Sequence, residues 1–150
     1  MKTFNQYNKY IIEVFDKPAK YKWKESDDSF WRGNFQIGKN GFEVTANLLD
    51  QDVWDVSFAR TDVGLWKYDA SGDGDEIKVF ATVIAMIGDF VKKQKPEEID
   101  IAASKTDTDD ASRVKLYKRL ISSKASKFGY KLINFDNNLR DTAYFNLKRK

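Results

Sequence analysis

The 150-residue chain contains no cysteine and no histidine. Without cysteine there is no disulfide framework and no thiolate metal site, and a reducing compartment is the natural setting. Without histidine the usual general base, the commonest zinc ligand and every Ser-His or Cys-His nucleophile system are excluded. Any catalysis must therefore use carboxylates, Tyr, Lys, a backbone oxyanion site or a metal held by oxygen. Glycine and proline number only eight and two, which excludes collagen-like chains. The longest apolar run, residues 79–87, is far shorter than the roughly 20 residues of a membrane span. Lys2 and Lys9 near the start are followed by no apolar signal core and no A-x-A site. The expectation is a soluble chain of cytoplasmic type with no membrane contact.

The chain is 41% hydrophobic and 15% aromatic, too rich in aromatics for a disordered protein. A single domain of this length buries roughly 70% of its unfolded surface. No linker, repeat or low-complexity tract argues for a second domain. We expect an N-terminal amphipathic helix within residues 1–18 and one domain over residues 19–150.

Phe4, Tyr7, Tyr10, Ile11, Val14 and Phe15 recur near the helical period behind Thr3, which is placed to cap. Pro18 ends that run. From about residue 20 the period changes to two. Phe30 to Ile37 alternates, Gly38-Lys39-Asn40-Gly41 supplies a hairpin, Phe42, Val44, Ala46 and Leu48 share a face, and Gln51-Asp52 turns into a strand over residues 53–60. This reads as an antiparallel meander. Residues 61–74 read as a loop. A helix follows over residues 75–93, acidic at its start and with Lys92 and Lys93 at its end, as the helix dipole favours. Its apolar face is Ile77, Phe80, Val83, Ile84, Ile87 and Val91. A short strand (99–103), a second helix (110–128, with Val114, Leu116, Tyr117, Leu120, Ile121 and Ala125 as its stripe), Gly129 as C′ residue and two closing strands complete the chain. Trp23, Trp31, Trp54 and Trp66 lie in or beside the meander and read mostly as core.

Charge is uneven. Residues 50–76 hold eight acidic and two basic side chains, and residues 111–150 hold eleven basic and two acidic. Arg113, Lys115, Lys118, Arg119, Lys124 and Lys127 could meet a polyanion such as nucleic acid. A solvated helix face accounts for the same residues, and the stacking-aromatic motifs of nucleic-acid binders are absent.

The element order, meander then glycine-bearing loop then helix–strand–helix–strand–strand, resembles the GNAT acetyltransferase superfamily. Asp69-Ala70-Ser71-Gly72-Asp73-Gly74 is similar to that family's Q/R-x-x-G-x-G/A loop, and Leu116-Tyr117 followed by Gly129-Tyr130 is similar to its A-x-x-L-Y-x-x-x-G-F stretch. The resemblance implies an α+β fold, GNAT-like: one mixed twisted sheet with helices on its faces. It implies acetyl coenzyme A as cofactor, with Gly72, Asp73 and Gly74 at the pyrophosphate, Tyr117 as acid and a splayed groove for the pantetheine arm. Two departures count against that chemistry. Asp69, Asp73, Asp75 and Glu76 crowd the place where a pyrophosphate needs donors, at a cost on the order of a few kcal/mol per like-charge contact. Gly129 follows Tyr117 by twelve residues where the family has four, and Tyr117 falls on the apolar stripe, as a core tyrosine does. Glu43 and Asp55 lie on strands from which a base could come, and the pattern singles out neither.

Residues 1–7 with Ile11-Ile12-Glu13 also resemble the capsid-targeting leader of internal head proteins of T-even-type tailed phages, cut after an apolar-x-Glu site, here at Glu13. The remainder is similar to small phage proteins of this kind, including the N-terminal part of their packaged ADP-ribosyltransferase. The reading from sequence is a non-catalytic protein with a degenerate acetyltransferase-like fold, virion-associated or injected into the host cytoplasm. It would need no cofactor and would bind a phage structural or host protein. A divergent acetyl-coenzyme-A-dependent N-acetyltransferase is the alternative, and a nucleic-acid-associated accessory protein the third.

Overall fold

The computed structural model describes residues 17–61, 75–104, 111–136 and 142–150, without the side chains of residues 60, 75–77, 103, 104, 111–116 and 142. Seven strands and two helices follow in the order β1 (Tyr21–Ser26), β2 (Phe30–Ile37), β3 (Asn40–Asp50), β4 (Val53–Arg60), α1 (Asp75–Gln94), β5 (Glu98–Ser104), α2 (Ala111–Phe128), β6 (Tyr130–Asp136) and β7 (Thr142–Arg149). The strands form a single mixed sheet in the order β1-β2-β3-β4-β5-β7-β6. Every neighbouring pair is antiparallel except β4 and β5, which are parallel.

The meander follows from turn chemistry. Gly38 takes a positive φ of 60° at the first position of a two-residue turn, as a type II′ hairpin requires. Gln51 and Asp52 both take positive φ, 31° and 72°, between Asp50 and Val53, which pair. Asp52 is held there from outside, since its carbonyl accepts from Glu97 N at 3.1 Å and its carboxylate accepts from the same N–H at 3.1 Å. Between β1 and β2, the Asp27 carboxylate accepts from the backbone N–H groups of Ser29 and Phe30, both at 2.8 Å. Those two bonds hold its carboxyl below the ordinary aspartate range.

Strand alternation sorts side chains between two faces. Trp31, Phe35, Phe42, Val44, Ala46, Trp54, Val56, Phe58, Ile99, Ile101, Phe145 and Leu147 are buried on one face against α1 and α2. Phe80 of α1 joins the layers. It stacks on Tyr117 of α2 at 4.5 Å and lies 6.4 Å from both Phe58 and Phe145. Phe90 does the same at the other end of α1, edge-on to Trp31 at 5.2 Å and Trp54 at 4.9 Å.

The expectation of helices on the faces of the sheet is thus met on one face among the described residues. The crossovers β4-α1-β5 and β5-α2-β6 step across the sheet in the same direction, and the preferred crossover hand then puts both helices on the same side. The opposite face carries Arg32, Asn34, Glu43, Thr45, Asp55, Ser57, Asp100 and Asn146. Residues 1–16, including the expected N-terminal helix, lie outside the described residues, as do the 61–74 loop beyond Thr61 and Trp66.

Candidate functional site

The sheet changes character between β4 and β5. Their parallel register runs from Val53–Glu98 to Ser57–Ala102 and stops. Each strand continues on its other side, with β4 paired to β3 as far as Arg60 and β5 paired to β7 as far as Ser104. Among the described residues, the two halves of the sheet therefore part at the carboxyl ends of two adjacent parallel strands. The chain leaves β4 there toward α1 and leaves β5 there toward α2. In open α/β sheets, ligands bind outside the carboxyl ends of the parallel strands. Both crossovers here step the same way, so what marks this place is the parting of the two strands and not a reversal of strand order.

Two carboxylates stand one step below the parting. Asp55 pairs with Asp100 across the seam, and Ser57 with Ala102 is the next pair on that face. Two residues of strand rise about 7 Å, so the carboxylates lie within a side chain's reach of the opening. Burial first, and the Asp100 charge second, push the Asp55 carboxyl above the ordinary aspartate range. Asp100 accepts a hydrogen bond from Asn146 Nδ2, which also reaches Glu98 Oε2 at 3.4 Å. That amide anchors Asp100 and leaves Asp55 as the carboxylate without a donor among the described residues. Ser57, itself buried, shares a hydroxyl–hydroxyl contact of 3.2 Å with Thr45. Among the described residues, no group of three acidic side chains is arranged to hold a metal ion.

Of the residues singled out from sequence, Tyr117 is 3% exposed and stacked face to face on Phe80 at 4.5 Å, the position of a core tyrosine. Glu43 is occupied by Arg32, which it meets at 3.4 Å while Arg32 also holds Glu25 at 2.8 Å. The structure thus separates Glu43 from Asp55, which the pattern alone does not. Gly72, Asp73, Gly74 and Glu13 lie outside the described residues. Of the basic set on α2, Lys118, Arg119 and Lys127 are exposed and Lys124 is half-buried, while the side chains of Arg113 and Lys115 are outside the description. Lys118 is not merely solvated: its ammonium lies 5.1 Å from the centre of the Phe135 ring.

Asp100 escaped the sequence reading. Alternation in Ile99-Asp100-Ile101 does place it opposite two core residues. Its importance depends on β4 being the neighbour, and that pairing is long-range.

No protein-family model matches the chain, and no curated protein matches it. Among solved structures, a putative acetyltransferase from Sphaerobacter thermophilus is similar with a TM-score of 0.43 and 11% identity, over 99% of this chain and 90% of that one. Nourseothricin acetyltransferase is similar with a TM-score of 0.41 and 10% identity, over 92% of this chain and 91% of that one. At those values the similarity is one of general arrangement, a mixed seven-stranded sheet with helices.

Proposed function

We propose that the chain is a divergent acetyl-coenzyme-A-dependent N-acetyltransferase whose cofactor arm enters the β4–β5 seam. The observation that carries the reading is the end of the parallel register at Ser57–Ala102 with Asp55 one step below it on the same face. A pantetheine arm is an extended chain with two amides. It suits a gap between two strand edges, where backbone N–H and C=O groups can bond it as a further strand would.

Acetyl coenzyme A supplies an acetyl group on a thioester. The acceptor amine, having lost its first proton to solvent, would form the C–N bond as the C–S bond breaks, and the coenzyme A thiolate would leave and take a proton from solvent. Asp55 takes the second proton that the amine loses. Its raised proton affinity suits that task, since a base works best with a pKa nearer the operating pH. Asp100, anchored by Asn146, adds negative charge that draws a cationic amine to the same face. Tyr117, buried with its ring stacked on Phe80, is assigned no role in this step.

Calorimetric titration with acetyl coenzyme A tests binding, and a thiol-release assay with spermidine or a lysine peptide tests transfer. Saturable micromolar binding is expected, with Asp55→Asn lowering kcat/KM by about 10²–10⁴-fold at unchanged cofactor affinity. No saturable binding sinks the reading. The other reading, a virion-associated protein that binds a partner, draws its support from residues 1–13 and would be favoured by that negative result together with recovery of the protein from purified particles.

A further inference from the structure

A hollow lies away from the seam, at the end of the sheet over β1, β2 and β3. It has a volume of about 400 Å³ and is lined by residues of β1 to β3 together with Lys20 and Thr61. Register explains its composition. Lys22 pairs with Asn34, Gln36 pairs with Gly41, and Thr61 N donates to Gly41 O at 2.9 Å. Along this row Gly41 supplies no side chain, and a Cβ there would sit 2.6 Å from Thr61 Oγ1. A side chain at position 41 would therefore displace Thr61 from the wall of the hollow.

Its chemistry is one-sided. Lys20 and Lys22 line it, and neither makes an ion pair among the described residues. The Asn34 carboxamide has no hydrogen-bond partner among the described residues, and Gln36 uses its Nε2 on Gly38 O at 3.1 Å. Among the described residues, no carboxylate lines the hollow. Glu43, which pairs with Asn34, is taken by Arg32, and Asp89 is taken by the Tyr21 hydroxyl on the helix-covered side. Phe35 and Phe42 also border it, their buried rings stacked with centroids 5.1 Å apart on the helix-covered side of the sheet.

We infer that this hollow binds a small organic anion, its phosphate or carboxylate oxygens on Lys20, Lys22 and the Asn34 amide. Two ammonium groups and an amide donor are groups that bind anionic oxygens. A volume of this size suits a small molecule. The inference stands whether or not acetyl coenzyme A enters the seam, because none of the seam residues Asp55, Ser57, Asp100 and Ala102 lines the hollow.

Phenyl phosphate serves as the probe in a ¹H–¹⁵N chemical-shift titration of the full chain, with phenol and with sodium chloride at matched ionic strength as controls. The expected result is saturable shifts at the Asn34 side-chain amide and at the Gly41 and Thr61 backbone amides, with neither control reproducing them. The double variant Lys20→Gln/Lys22→Gln removes two exposed cations and should keep its melting temperature while losing affinity by about fivefold. In a second variant, Asn34→Leu, the probe should again bind more weakly. Shifts that do not saturate, that fall elsewhere, that sodium chloride reproduces or that persist with equal affinity in the double variant would overturn the inference.

Discussion

Asp55 and Asp100 face each other across the β4–β5 pair, the one parallel pair among the described strands, with their carboxyls on the face that neither described helix covers. Like charges so placed, and half-buried, cost the fold something whenever both are ionised.

The first prediction follows from that cost. The folded state holds the Asp55 proton more tightly than the unfolded chain does, whose value is near 3.8. Protonated Asp55 is the form the fold prefers, so its penalty is absent below the unfolded value and complete above the raised folded one. Asp55→Asn should therefore raise the melting temperature at pH 7 by about 2 °C, with the gain shrinking as pH falls toward 4. Thermal melts of both proteins across that range check the sign. A gain that grows in acid would refute it.

Tyr117 offers a test that separates packing from catalysis. Tyr117→Ala removes a buried ring from its stack on Phe80 and should cost about 3–5 kcal/mol in urea unfolding. Tyr117→Phe keeps the ring. If acetyl transfer is measurable, this variant should retain most of it, whereas loss of a general acid would lower it by about 10²–10⁴-fold.

Gly33 marks a close approach within the sheet. A Cβ at that position would lie 2.6 Å from Met86 Cε, 2.8 Å from the Trp23 ring and 2.9 Å from the Lys22 carbonyl oxygen. The methionine tip can move aside, but a strand carbonyl cannot. Gly33→Ala should destabilise the protein by about 1–3 kcal/mol, read from the shift of the urea midpoint at unchanged slope.

Thr82 ties the start of the described chain to α1. Its buried hydroxyl donates to Lys78 O at 2.7 Å and accepts from Ala19 N at 2.9 Å. Thr82→Val keeps the shape and leaves the Ala19 N–H without its acceptor, at about 1–3 kcal/mol. Hydrogen exchange should quicken at Ala19 by more than at amides in the centre of β3.

Much of the secondary structure was readable along the chain. The strands over residues 30–60, their two turns, both helices and the glycine that ends α2, with a φ of 86°, follow from local periodicity and turn chemistry. These signals act within a few residues of one another. β1 was harder to read as a separate strand because only Tyr21 and Trp23 turn inward before a bulge disturbs the register.

What the amino-acid order settled by itself was chemical inventory and local shape. It excluded thiol and imidazole chemistry, placed Tyr117 on an apolar stripe and put Asp55 and Asp100 on the polar sides of their strands. Only the tertiary structure decided which polar residues became neighbours. The parallel pairing of β4 with β5 joins residues 45 positions apart at Asp55 and Asp100 and ends at Ser57 and Ala102, opening the seam. The hollow beside Gly41 likewise needs β1, β2 and β3 aligned with the end of β4. Side-chain period is a property of one strand, but strand order and register come from burying all the apolar faces together, a choice no short window contains.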